Sequence, residues 1–198
     1  MKQLILGSTS IYRKELMLKM GIPFATMKPT CDEDTLKKTL LTQKKSPLEV
    51  AEHLAYAKAA SLNKEYKEAV IIGGDQLVDF NGEIIGKSKT KEKAKEQLAA
   101  MAGHTHQLIT SIAILKGEEK WTLNHISKMK MKKLSAQEIE NYINLDLPLD
   151  CAGSYKIEQS GICLFEKIET DDFSAIQGLP MMWISQKLKE IGYELFTT

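Results

Sequence analysis

Asp75 closes the run Val70-Ile71-Ile72-Gly73-Gly74-Asp75, an apolar, β-branched stretch that reads as a buried strand ending in a carboxylate. In open α/β sheets ligands gather at the carboxyl ends of strands. A carboxylate there can hold a hard divalent cation or take a proton from water. A plain turn aspartate is an equal alternative. The paired glycines read as room left for a bulky substrate. Asp32-Glu33-Asp34 forms a second acidic group, which on its own reads as a solvated loop.

Cations are spaced so that they could face phosphates. Gly7-Ser8-Thr9-Ser10 leaves one strand and enters a helix that begins Ile11-Tyr12-Arg13-Lys14. The free N–H groups and positive end of a helix start make an anion site, and the bland alternative is an N-cap with solvated charges. Gly86-Lys87-Ser88 imitates the end of a phosphate loop. That pattern needs glycine at position 81, where Asn81 stands, and no helix starts at Lys87. Lys87 is left as a single phosphate-binding lysine. Ala152-Gly153-Ser154-Tyr155-Lys156-Ile157-Glu158 offers an aromatic, a cation and an acid in one loop, with an ordinary surface loop as the equal alternative. Lys58 reads as a solvated lysine on the polar face of a helix over 47–63. His104 and His106 lack a third ligand at metal-binding spacing, and His53 and His125 carry no signal. Trp121, Trp183 and Met181-Met182 read as core or interface.

The elements that must position these groups alternate in period. Strands are predicted at Gln3–Gly7, Phe24–Met27, Val70–Asp75 (with the chain continuing extended from Gln76 to Phe80), Glu83–Gly86, Gln107–Leu115, Thr122–Lys132 and Ile162–Ile168. Asn81-Gly82 has the composition of a two-residue hairpin turn. Helices are predicted from Ser10 to about Met20, from the Ser46-Pro47-Leu48-Glu49 capping box to about Asn63, and from Thr90 to about Ala102. Two more run from Ser135 to about Leu145 and over Leu179–Ile191. Residues 28–46 read as a loop with partial helix. Mixed α/β follows, as one domain over 1–198 with two lobes.

Composition bounds the partners. The 198 residues carry 27 Lys+Arg against 26 Asp+Glu, a net +1, which excludes nucleic-acid binding driven by bulk positive charge. No aromatic-basic strip offers a single-strand platform. No apolar run approaches the ~20 residues of a membrane span, and Met1 to Gly7 is too short an apolar run for a signal peptide. Three cysteines without a C-x-x-C indicate neither a disulfide framework nor a zinc ribbon, and fit a reducing cytoplasm.

The order of these pieces resembles the Maf family of nucleotide pyrophosphatases. Leu4-Ile5-Leu6-Gly7-Ser8-Thr9-Ser10-x-Tyr12-Arg13-Lys14-Glu15-Leu16 is similar to the family's N-terminal signature. So are Cys31-Asp32-Glu33, Ala51-x-x-Leu54-Ala55-x-x-Lys58-Ala59, Ile72-Gly73-Gly74-Asp75-Gln76, Gly82-Glu83-Ile84-Ile85-Gly86-Lys87, Ala152-Gly153-Ser154-Tyr155-Lys156 and Gly178-Leu179-Pro180. The resemblance implies an inosine-triphosphatase-like α/β fold, with an elongated mixed sheet, flanking helices and two lobes around a cleft. It implies cleavage of nucleoside triphosphates to monophosphate and pyrophosphate with a divalent cation such as Mg²⁺ or Mn²⁺. Asp75 would accept the proton, and Glu33 and Asp75 would serve the metal. Ser8, Arg13, Lys58, Lys87 and Lys156 would hold the triphosphate.

Asp75-Gln76 and Gly153-Ser154-Tyr155-Lys156-Ile157-Glu158 look like the branch preferring 7-methyl-GTP. The branch acting on dTTP and UTP usually has Asp-Thr and Gly-Gly-Tyr-Gly instead. N7-methylation makes guanine cationic, which suits an aromatic face and a carboxylate. Tyr12 and Glu158 would supply these, with Gln76 on the base edge. A house-cleaning role in the nucleotide pool follows. The alternatives are a dTTP/UTP or broad-specificity pyrophosphatase, and a non-enzymatic regulator of septum formation. A homodimer stays open, with Trp183 or Met181-Met182 as its face. Ile11 and Ser88 stand where the family usually has proline, and Lys14 where arginine is commoner.

Overall fold

In the computed structural model, which describes residues 3–197, β1 (Leu4–Gly7) runs parallel to the start of β3 (Val70–Phe80). Leu4 lies opposite Val70, and Gly7 opposite Gly73. β2 (Ala25–Met27) is parallel to β1 on its other side, with Ile5 opposite Ala25. The seven-stranded sheet has the order β2-β1-β3-β5-β6-β7, with β4 (Glu83–Ile85) paired antiparallel to β3. β5 is Thr105–Lys116, β6 is Glu119–Met131, and β7 (Phe165–Glu169) pairs antiparallel to β6. The helices are α1 (Ile11–Leu18), α2 (Glu33–Thr42), α3 (Pro47–Asn63), α4 (Lys91–Met101), α5 (Ala136–Asp146), α6 (Phe173–Ile176) and α7 (Met181–Ile191). This is the expected mixed α/β architecture, an open mixed sheet with flanking helices. No helix among the described residues is long and apolar enough to cross a membrane.

Contacts divide the chain into two compact units. One holds the segments up to Asp75, Thr110–His125 and from Asp172 onward. The other holds Gln76–Ile109 and Ile126–Asp171. In the first unit, strand alternation sorts the core onto two faces. Leu4, Leu6, Val70, Ile72, Ile112 and Ile114 pack with Leu16 and Met17 of α1 and Ile184 and Leu188 of α7. Ile5, Ile71, Ala113 and Leu115 pack with Ala59 and Leu62 of α3. Burial on both faces explains why β1 and the start of β3 are continuously apolar. Trp121, Met181 and Trp183 pack against the first of these faces, as expected of core residues. In the second unit, α4 and α5 pack together and bury Leu98, Met101, Ile139 and Ile143.

Helix starts follow the capping residues. Ser46 and Ser135 each close a reciprocal capping box with Glu49 and Glu138. Residues 33–42 correct the loop expected there: Asp32 accepts the Thr35 N–H and starts α2. The strand expected from Ile162 begins only at Phe165, after a 3-10 turn over Ser160–Leu164. Gly161 sets that turn by donating its N–H to the Lys156 carbonyl at 3.0 Å. The last helix begins at Met181, two residues later than expected. Asp172 and Ser174 accept the N–H groups of Met182 and Met181, and Asp172 also caps the unanticipated α6.

Candidate active site

Two groups of the expected site residues form, one within each unit. In the first unit, α3 delivers Lys58 to Asp75, midway along β3. The residues of α3 that it buries include Val50, Ala51, Leu54, Ala55, Lys58, Ala59 and Leu62. Lys58 therefore interrupts the apolar stripe and does not lie on the polar face, which corrects the expectation of a solvated lysine. Its side chain is only 10% exposed, and its ammonium lies 2.7 Å from Asp75 Oδ1 and 2.8 Å from Glu33 Oε2. Glu33 reaches it from the first residue of α2 with a side chain 46% exposed. Asp75 Oδ2 is buried and has no hydrogen-bond partner.

The parallel pairing of β1 and β3 ends at Gly7 and Gly73, so Ser8 and Gly74-Asp75 both follow its last pair. The expected strand end at Asp75 is corrected: β3 runs on past the end of β1 to Phe80, where it pairs with β4, and Asp75 lies mid-strand. Ser8 is buried, and its Oγ accepts the Ser10 N–H at 3.1 Å. Ser10 in turn caps α1. Arg13, partly buried one turn into α1, donates from Nη1 to the Gly74 carbonyl at 2.7 Å and from Nε to the Gly178 carbonyl at 3.1 Å. Burial lowers its pKa, while Asp75 and Glu33 act to raise it. Arg13 thus shares the field of both carboxylates and ties two backbone segments beside them.

The glycines have a different purpose from the one expected. A Cβ on Gly73 would lie 2.5 Å from the Ala55 carbonyl oxygen and 2.6 Å from the Ala59 nitrogen. A Cβ on Gly74 would lie 2.9 Å from Ile112 Cδ1 and 3.6 Å from the Arg13 guanidinium carbon. The room is taken by α3, β5 and Arg13, so the pair serves close packing and not a bulky substrate.

In the second unit, Lys87 and Ala152 form an antiparallel backbone bridge. Lys87 is exposed, while Lys156 and Glu158 are half-buried. All three act electrostatically on the Cys151 thiol, whose pKa burial raises; Lys156 and Lys87 oppose that rise and Glu158 adds to it. Lys156 Nζ donates to the Asp146 carbonyl at 2.7 Å, and its backbone N–H to the Tyr142 hydroxyl at 2.9 Å. Below the loop, His106 Nε2 and the Tyr155 hydroxyl are 3.1 Å apart, with Phe165 against both rings. Tyr12 on α1 and Gln76 on β3 are each half-buried.

Among the described residues no group of three or more His, Cys, Asp or Glu side chains is arranged to hold a metal ion. Glu33 and Asp75 are the pair that could contribute carboxylate oxygens to one, since one of Asp75's oxygens is buried without a partner. Mg²⁺ binds through one or two carboxylates and completes its shell with waters and substrate phosphates.

Residues 3–191 match the family described as Maf-like protein. The chain belongs to the Maf family. A Bdellovibrio bacteriovorus protein named 7-methyl-GTP pyrophosphatase is 50% identical over 188 residues, covering 95% of this chain and 96% of its own length. Proteins of the same name from Xanthomonas axonopodis pv. citri and Polaromonas sp. are 35% and 38% identical. Each covers 98% of this chain, over 100% and 87% of their own lengths. The expected Maf resemblance is thereby met along nearly the whole chain.

The residue-by-residue reading of Lys58 missed its burial and not its candidacy. The burial was detectable from its position in the apolar stripe of α3, four residues after Leu54 and four before Leu62. Asp32 was detectable as a cap from its spacing to Thr35. Gln97 carried no local signal: its partners are 11 and 57 residues away.

Proposed function

We propose that this chain hydrolyses 7-methyl-GTP to 7-methyl-GMP and pyrophosphate with a divalent cation. The reading is supported chiefly by the Glu33–Lys58–Asp75 cluster, in which a buried carboxylate keeps one oxygen without a partner. The names of the relatives support the choice of substrate.

In this reading Asp75 Oδ2 accepts a proton from the water that attacks the α-phosphorus. Lys58, held between the two carboxylates, keeps them close together by pairing with both. Glu33 and Asp75 would hold the cation, which supplies charge stabilisation on the phosphate oxygens and lowers the pKa of bound water. Ser8, Arg13, Lys87 and Lys156 bear on the phosphates, and a pyrophosphate leaving group needs such donors as its charge develops. Arg13 contributes in part by fixing the Gly74 carbonyl and therefore Asp75. Tyr12, Gln76 and Glu158 bear on the base. A cationic N7-methylguanine gains from an aromatic face and a carboxylate, while neutral guanine gains less.

The deciding measurement is turnover of a nucleotide panel with Mg²⁺ or Mn²⁺. The expected order is 7-methyl-GTP well above GTP, dTTP and UTP. Equal or faster hydrolysis of dTTP and UTP would overturn the substrate assignment. Absence of pyrophosphate from every nucleotide would overturn the enzymatic reading.

A further inference from the structure

Gln97 joins two loops that are far apart in sequence. From α4 its Nε2 donates to the Gly86 carbonyl at 3.1 Å, and its Oε1 accepts the Ser154 hydroxyl at 2.5 Å. Gly86 immediately precedes Lys87, and Ser154 stands two residues before Lys156. The backbone bridge between Lys87 and Ala152 lies beside these bonds.

Ser154 is an unusual anchor. It is fully buried and has φ 57°, in the left-handed region where a Cβ is crowded. Its N–H donates to the Cys151 carbonyl at 3.2 Å. The hydroxyl bond to Gln97 fixes the side chain of a residue whose backbone conformation is otherwise disfavoured. A planar carboxamide presents its donor and acceptor at a set spacing. One neutral side chain therefore sets the separation of Gly86 from Ser154 without adding charge near two lysines.

We propose that Gln97 is a positioning residue that holds the Gly86–Lys87 turn and the Ser154–Lys156 loop in one register, and so sets how tightly the pyrophosphate portion of the substrate is bound. The inference rests on the reading of Lys87 and Lys156 as phosphate ligands. It adds a residue that touches no substrate and acts through both of them. Loss of the carboxamide should weaken phosphate binding and leave the water-activating cluster of the first unit alone, so KM should move and kcat should not.

The test uses the full-length protein with Mg²⁺, 7-methyl-GTP as substrate and inorganic pyrophosphate as the inhibitory probe. Gln97→Met keeps length and neutrality and removes both bonds. It should raise KM and the pyrophosphate inhibition constant together, by roughly tenfold, with kcat within about twofold. Ser154→Ala approaches the contact from the other side and covers the case in which Gln97→Met fails to fold. It should raise both constants in the same direction, and the double variant should be no worse than Gln97→Met, because both remove one linkage. A lowered urea midpoint with KM and the inhibition constant unchanged would mark a merely structural role and overturn the proposal, as would additive effects in the double variant. Lys87→Ala separates this idea from the one beneath it. If Lys87→Ala raises the inhibition constant and Gln97→Met does not, the positioning role alone fails. If Lys87→Ala leaves pyrophosphate inhibition unchanged, both readings fail.

Discussion

At the scale of single residues, Asp75 and Lys58 carry opposite expectations. Asp75→Asn keeps size and hydrogen-bonding shape but removes the proton acceptor. It should lower kcat by roughly 10²–10⁴-fold with nucleotide binding largely retained, measured by steady-state kinetics and by pyrophosphate inhibition. Lys58→Met keeps the stem but leaves the buried Asp75 carboxylate and Glu33 without their shared cation. That should destabilise the protein by about 3 kcal/mol in urea denaturation. His106 gives a pH signature. Burial holds its pKa down at about 4 against the ordinary 6.5. The unfolded chain therefore takes up the proton first. The contribution of the neutral ring is complete above about pH 6.5 and is lost as pH falls from there through 4, about 3 kcal/mol in all. Urea midpoints across that window should show the decline, and His106→Phe should flatten it. Of these residues, Asp75 stood out in the sequence because an apolar run ended on it, although β3 itself continues to Phe80. Lys58 was legible as a residue type and misplaced by face. His106 stood beside His104 with no sign of the Tyr155 hydroxyl it meets.

Elements were legible where the signal was local. Ser46-Pro47-Leu48-Glu49 and Ser135-Ala136-Gln137-Glu138 announced helices that begin where their capping boxes close. Ser135→Ala should cost about 1 kcal/mol of stability, read from the thermal midpoint. Where an element's end depended on a distant partner, the local signal failed. Met181 begins α7 because Asp172 and Ser174, from another segment, receive its first N–H groups. The 3-10 turn before β7 depends on Gly161 bonding back to Lys156. Gly73 shows the same limit: its glycine was visible, but the Ala55-Ala59 surface of α3 lying over it was not. Gly73→Ala would force the strand off that helix. It should lower stability by roughly 1–3 kcal/mol, and more if the shift also reaches Asp75 two residues on.

At the scale of the whole molecule, a net charge of +1 gives no strong global field to draw a triphosphate in. Capture then depends on local cations, and raising KCl from about 50 to 300 mM should increase KM several-fold with kcat little changed. The sequence alone determined the strands and the helices with local capping signals, the mixed α/β class, the family and the identity of the charged groups. These depend on composition, period and motif, which are properties of neighbouring residues. Tertiary structure alone decided that Lys58 is buried between Glu33 and Asp75, that Arg13 grips the Gly74 and Gly178 carbonyls, and that Gln97 joins Gly86 to Ser154. Each of those links closes a loop through residues far apart in the chain. Nothing in a local window records such a contact, because it exists only once strands pair in register and helices pack against them.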